Sequence, residues 1–281
     1  MREINVDRIS DVISDLCIKS NIYLPEDTKK LLKYSFNNES QEVSKDVIGL
    51  LIENYEYAEE KGVPICQDTG ATVVFLKIGQ EVRLVGGSLK EAINKGVSDG
   101  YNKGYLRCSI VSDPIYDRKN TDNNTPAIIF TDIVDEDKIE ITVAPKGFGS
   151  ENMSRIKMMT PTSSESEIID FVLETVKLAG SKACPPMIIG VGIGGDFEYA
   201  TYLAKKALCR DVKTYNEDQR YKKLELKMLE NINNLNIGPH GLGGRTTALA
   251  VNIEWYPTHI ASLPVAVNIG CHATRHCKAV I

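Results

Sequence analysis

The chain has 281 residues, 42% of them hydrophobic and 25% charged, with a formal net charge of −5. This is the composition of an ordinary globular protein, long enough for one large core or two coupled ones. The charge forms no basic stripe, which excludes nucleic acid as an expected partner, and no stretch approaches the roughly 18 apolar residues of a membrane-spanning helix.

Residues 4 to 60 read as helical, with Ile9, Val12, Ile13 and Leu16 at helix spacing and Cys17 on the same face. A second helical stretch ends near Tyr55 and Tyr57, before Gly62 and Pro64. The period then changes: Thr72 to Ile78 is β-branched and apolar, as in a strand. Ser88 caps a helix expected to run to Gly104, with Leu89, Ala92, Ile93 and Val97 on one face. Cys108 falls in an expected strand. Ala127 to Ile133 and Lys138 to Ala144 read as strands, and the acidic turn Asp135-Glu136-Asp137 between them predicts an antiparallel hairpin.

Ser164 and Glu167 form a capping box opening a helix that Gly180 closes. A short strand over Met187 to Val191 and a helix over Phe197 to Cys209 follow. Residues 214 to 235 are charged with helical periodicity, and Ala248 to Trp255 and Pro264 to Asn268 are late strands. There is no repeat, low-complexity tract or linker. Hairpins and helices without regular βαβ alternation predict an α+β fold. The expected domain is single, over 1–281, with a helical part over 1–60 packed on a mixed, largely antiparallel sheet part over 61–281.

Gly190-x-Gly192-x-x-Gly195 lies between that strand and helix, and formally satisfies a dinucleotide fingerprint. The fingerprint also requires a second strand about 20 residues on, ending in an acidic residue. The stretch available, Arg210 to Tyr215, is no buried strand. The glycines instead predict close backbone approach, with an anionic ligand at the helix N-terminus as one use.

The seven cysteines are Cys17, Cys66, Cys108, Cys184, Cys209, Cys271 and Cys277. An odd count, with no apolar signal segment after Met1-Arg2-Glu3, argues against a disulfide framework and predicts a cytoplasmic protein. Three cysteines stand on turns. Cys66 lies in Pro64-Ile65-Cys66-Gln67-Asp68-Thr69-Gly70, Cys184 precedes Pro185-Pro186, and Cys271 follows Gly270. Three thiolates from distant turns can hold a [4Fe–4S] cluster with one iron open as a Lewis acid. Dedicated electron-transfer clusters use four closely spaced cysteines, a pattern absent here. On cysteine arithmetic alone, structural thiols stay the first reading and the cluster the second. Cys17 and Cys209 read as core, and Cys277 rivals Cys271 as the third ligand.

The segment Pro64 to Gly70 resembles the PICQDTG signature of class I fumarases and L-tartrate dehydratases. Leu106-Arg107-Cys108-Ser109, Asp113-Pro114, Asn123 to Pro126, Pro145 to Asn152, Gly243 to Thr247 and Pro257 to Val267, leading into Gly270-Cys271-His272, also resemble family blocks. The resemblance runs in order from about residue 8 to the C-terminus. It implies that Cys66, Cys184 and Cys271 hold a [4Fe–4S] cluster whose free iron binds the substrate. It implies substrate contacts at Gln67, Arg107 and Gly149, with Gly147 a close rival to Gly149. Asp68 and His259 are the implied catalytic groups. Without the resemblance, Asp68 is a turn cap, His259 a core histidine and Arg107 a surface ion pair. His240, His272 and His276 have no implied role, although His272 adjoins a ligand.

Single-chain members of this family carry a second domain with further arginines, a lysine and a threonine proposed as the base. This sequence ends at Ile281, shortly after Cys271. The resemblance thus implies an α subunit with a separate β subunit, in a heteromer such as α2β2, with little or no activity alone. The implied reaction is the reversible hydration of fumarate, a C4 dicarboxylate, to L-malate. Three other readings stay open: an L-tartrate dehydratase α subunit, a nicotinamide-linked oxidoreductase, and a non-catalytic iron- or oxygen-sensing binder.

Overall fold

The structure, a computed structural model, describes residues 1–281. The chain begins with β1 (Arg2–Asn5), α1 (Val6–Ile22), α2 (Glu26–Asn38) and α3 (Glu42–Lys61). Next come β2 (Ala71–Gly79), β3 (Val82–Val85), α4 (Leu89–Lys103), β4 (Ile128–Val134), β5 (Ile139–Lys146), the one-turn α5 (Phe148–Glu151) and β6 (Arg155–Met159). The remainder is α6 (Glu165–Ala179), β7 (Met187–Gly195), α7 (Phe197–Ala207), α8 (Gln219–Asn233), β8 (Ala248–Thr258), β9 (Leu263–Gly270) and β10 (Cys277–Val280). The α+β class expected from the sequence is the one observed. Two compact units are built from separated segments: Met1–Leu24, Tyr55–Phe148 and Arg275–Ile281 in the first, Pro25–Asn54 and Gly149–Thr274 in the second.

In the first unit, the Asn5 side chain caps α1 by accepting the Asp7 N–H at 2.8 Å. Ile9, Ile13, Leu16 and Cys17 form the buried stripe of α1. They share one core with Ile93, Val97 and Tyr101 of α4 and with Val74, Leu76, Ile139, Ile141 and Val143 of the sheet. That sheet has the order β10-β5-β2-β4.

The expected hairpin between residues 127–133 and 138–144 is not formed. Both strands exist, but β2 lies between them, parallel to β4 and antiparallel to β5. β2 is nine residues long and mostly buried, so it needs ladder partners on both edges. The acidic turn caps its end instead: Gly79 N–H donates to Lys138 O and Gln80 N–H to Val134 O, each at 2.8 Å. The strand expected around Cys108 is also absent. Residues 107–110 are irregular, and the nearest ladder feature is a single Val111–Asn120 bridge. β1 and β3, too short to show alternation, pair in parallel, and β10 closes the far edge on β5.

The second unit holds a sheet of order β6-β9-β7-β8, with β7 parallel to β8 and the other pairs antiparallel. Side chains alternate faces along a strand, and β7 uses both. Ile189, Val191 and Ile193 pack with Val172 and Val176 of α6 and Met228 and Ile232 of α8. Gly190 and Gly192 face α7. A Cβ at either would fall 2.0 Å from a helix carbonyl, Ala204 O for Gly190 and Ala200 O for Gly192. The expected close backbone approach is therefore that of a helix. The helix N-terminus is already occupied by an acceptor of the chain itself, since Asp196 Oδ1 accepts the Tyr199 N–H at 2.8 Å. The element after α7 is α8, and the next strand, β8, begins only at Ala248, so the strand that a dinucleotide fingerprint needs about 20 residues on is missing. α8 begins at Gln219, capped by Asp218, rather than at 214. Cys209 lies just past the end of α7 and is buried, as a core cysteine should be.

Candidate functional site

The first unit carries Cys66, Gln67, Asp68 and Arg107; the second carries Gly149, Cys184, His259 and Cys271. In the first, α3 ends at Lys61 and the chain bends through residues 65–67 before β2. Ile65 N–H anchors that bend on Asn21 O at 2.9 Å. Cys66 and Asp68 are half-buried and Gln67 is exposed. Each Asp68 carboxylate oxygen accepts a backbone N–H: Oδ1 from Gly70 at 2.9 Å and Oδ2 from Phe148 at 2.8 Å. Asp68 is thus a turn cap whatever else it does.

Gly70 sits at φ +78° with its Cα against the Lys146 backbone, where a Cβ would lie 2.7 Å from the Lys146 nitrogen. Only glycine fits there. Gly147 borders the Asp68 carboxylate, 3.2 Å from its own ideal Cβ position, whereas Gly149 faces Lys182 O at 3.6 Å. Thr69 joins the turn to the arginine loop by donating its hydroxyl to Arg107 O at 2.9 Å. Arg107 itself is exposed.

In the second unit, Cys184 stands after the 3-10 turn Gly180–Ala183 in a left-handed conformation, φ +50°, and is exposed. Cys271 follows β9 in a turn where its carbonyl accepts the Thr274 N–H at 3.0 Å and hydroxyl at 2.8 Å. The backbone joins the two turns: His272 N–H donates to Cys184 O at 3.2 Å, and His272 Nδ1 lies 3.3 Å from the same oxygen. No motif assigned a role to His240, yet it belongs to this group. Its N–H donates to Pro185 O at 2.9 Å, and its ring lies 5.4 Å from that of His272. Burial holds the His240 imidazole below its ordinary pKa. The sequence signal was the surrounding glycine run, which marks a tight turn; His240 itself stands at φ +51°.

His259 is no core histidine. It is exposed in the turn between β8 and β9, where Nδ1 accepts the Ala261 N–H at 3.2 Å. A neutral ring so engaged carries its proton on Nε2.

Seven thiols sort by environment. Cys66, Cys184 and Cys271 stand on turns. Burial pushes Cys17 up to about 12 and also raises Cys108 and Cys277, and Cys209 is buried in the second unit. The rival Cys277 is a ladder residue of β10 paired with Val143, whereas Cys271 stands on a turn. The structure gathers no group of three or more His, Cys, Asp or Glu side chains in a metal-holding arrangement. The case for a three-thiol ligand set therefore rests on donor chemistry: soft sulfur donors on turns fit iron.

Each of the two α+β units carries thiol and polar side chains on turns between rigid elements, the kind of position from which enzymes commonly present functional groups. The chain belongs to the fumarate hydratase (Fumerase) family, which its sequence matches over residues 10–280. It is 44% identical over 273 residues to a protein of Methanocaldococcus jannaschii provisionally named L(+)-tartrate dehydratase subunit alpha, covering 95% of each chain. It is 30% identical over 272 residues to the L(+)-tartrate dehydratase subunit alpha of Escherichia coli K12, covering 96% of this chain and 89% of that one. A Shigella boydii protein of the same name is similar to the same degree.

Proposed function

We propose that this chain is the α subunit of an iron–sulfur hydro-lyase that adds water to, or removes it from, a C4 dicarboxylate, acting with a separate β subunit. The observation that carries the reading is the family match over residues 10–280, a span that includes all three turn cysteines. Cys66, Cys184 and Cys271 would hold a [4Fe–4S] cluster, which when bound supplies an open Lewis-acidic iron.

The chain's own residues supply the rest. Arg107, exposed beside the Cys66–Gly70 turn, grips one carboxylate through two parallel N–H bonds and stabilises the charge that builds when the C3 proton leaves. Gln67 donates and accepts at the same turn. Asp68 keeps lone pairs beyond the two N–H bonds it accepts, so it can take a proton from substrate or water. His259 offers an Nε2 donor. Of the Gly147–Gly149 segment, Phe148 gives its N–H to Asp68, so the backbone contact to substrate falls to Gly149 or Gly147, with Gly147 bordering Asp68. Partner cations would neutralise the second carboxylate. The α2β2 stoichiometry and a cytoplasmic location belong to this proposal.

Two substrates fit. Fumarate with L-malate follows from the family description, and L-tartrate is favoured by the names of the relatives. The test is anaerobic reconstitution with iron and sulfide, with the β subunit present, followed by malate and tartrate assays side by side. Turnover of either supports a hydro-lyase, and the larger kcat/KM assigns the substrate. A fully loaded complex inert to both refutes it.

A further inference from the structure

Three consecutive carbonyls of the Cys66–Gly70 turn each accept from a buried side chain. Arg275 Nη2 donates to Asp68 O at 2.9 Å. Tyr101 Oη lies 2.7 Å from Thr69 O and 2.9 Å from Gly70 O. Asn124 Nδ2 donates to Gly70 O at 3.1 Å. The donors come from α4, from the irregular 107–126 segment, and from the point where the chain returns to the first unit, four residues after Cys271. We propose that Arg275, Tyr101 and Asn124 are positioning residues, a buried cradle that sets the Cys66-Gln67-Asp68 turn against Arg107 for reaction.

Satisfying buried carbonyls is a general need, but it does not require this construction. One neutral donor per carbonyl suffices, yet Gly70 O has the Asn124 amide and also lies within reach of the Tyr101 hydroxyl, whose single proton it shares with Thr69 O. A guanidinium is the costliest donor to bury, and Arg275 is only 4% exposed. Arg275 also donates to Asn21 Oδ1 at 2.9 Å, in the helix whose end anchors Ile65. Asn124 is fully buried and left-handed, φ +57°, a conformation that among residues with a side chain asparagine adopts most readily. From there its Oδ1 accepts the Ser109 N–H at 2.8 Å while its Nδ2 holds the turn. One amide therefore ties the turn to the arginine loop, in parallel with the Thr69–Arg107 bond. The result fixes Gln67 and Asp68 relative to Arg107, the groups assigned to substrate. The inference rests on that assignment.

Three variants test it in the full chain. Tyr101→Phe removes one hydroxyl, Asn124→Gly removes the side chain while accepting the positive φ, and Arg275→Lys keeps the charge with two N–H donors fewer and no planar fork. Amide exchange on the metal-free chain and steady-state kinetics of the reconstituted complex are read together. Exchange at residues 67–70 and 107–109 should rise about tenfold or more in each variant, with β2 and β5 amides unchanged. Turnover should fall about tenfold to a hundredfold with KM within about threefold, since small misplacements act on kcat. Arg275→Met should exceed Arg275→Lys. If it fails to fold, the other three decide. Unchanged local exchange with wild-type kcat overturns the cradle, as does a kcat loss that merely follows global melting. If wild type itself turns over neither malate nor tartrate, the functional reading fails, and the exchange data still decide whether the cradle sets the turn.

Discussion

Gly192→Ala tests how β7 and α7 meet. The added Cβ would stand 2.0 Å from Ala200 O, 2.6 Å from Ala204 N and 2.9 Å from Leu203 Cβ. Two of these are helix backbone atoms, so no side-chain rotation relieves them. To reach ordinary contact near 3.4 Å, α7 must retreat by roughly 1 Å or more, opening its packing on both β7 and β9. Overpacking of this kind costs about 1–3 kcal/mol, and a clash with backbone on both sides belongs at the upper end, about 3 kcal/mol. For a unit of this size that is about 6–12 °C in Tm. The single tryptophan, Trp255, lies in β8 next to β7 and stacks on Tyr221 at 5.4 Å, so its fluorescence follows the second unit. Urea titration should show a lower midpoint with an unchanged slope. A loss below about 1 kcal/mol would refute the close packing and reopen a ligand role for these glycines.

Three other outcomes follow from the same chemistry. The Cys17 thiol, pushed by burial from 9.0 to about 12, stays protonated in the folded chain while the unfolded chain ionises. Its contribution is complete below pH 9 and is lost as pH rises from 9 towards 12, at roughly 1 kcal/mol per pH unit. Cys17→Ala should flatten the alkaline fall in urea stability over that window; an identical slope would contradict the assignment. Asp68→Asn places an amide donor within reach of the Gly70 or Phe148 N–H, so turnover should drop about a hundredfold or more. Turnover within twofold of wild type would remove Asp68 from the reaction. Arg107→Lys should raise KM for the dicarboxylate about tenfold by losing the planar fork, and an unchanged KM would return Arg107 to the surface.

The helices of both units were legible because their signals are local. The Ser164–Glu167 capping box is present in the structure, as is the Ser88 cap with its Oγ accepting the Glu91 N–H. β2 and β7 were legible as apolar runs. What failed was pairing. The acidic turn after β4 looked like a hairpin because sequence shows neighbours along the chain, while β2, far upstream, fills the space between β4 and β5. β1, β3, β6 and β10 are each four or five residues long, too short for alternation to register. Motif residues singled out Cys66, Asp68 and Arg107, which lie in one unit, and a glycine before Cys271 marked its turn. Tyr101, Asn124 and Arg275 escaped because each acts through a backbone carbonyl far away in sequence, and a residue type does not reveal that. His259 read as core because apolar strands flank it, yet it sits at the tip of their connection.

Iron and acid-labile sulfide per chain, measured after anaerobic reconstitution of single Cys→Ser variants with the partner present, bear most directly on three thiols sharing one cluster. Wild type and Cys277→Ser should carry a full [4Fe–4S] complement, while Cys66→Ser, Cys184→Ser and Cys271→Ser should each lose it. A Cys271→Ser variant that stays fully loaded while Cys277→Ser is empty, or a wild-type chain that takes up no cluster, would contradict it.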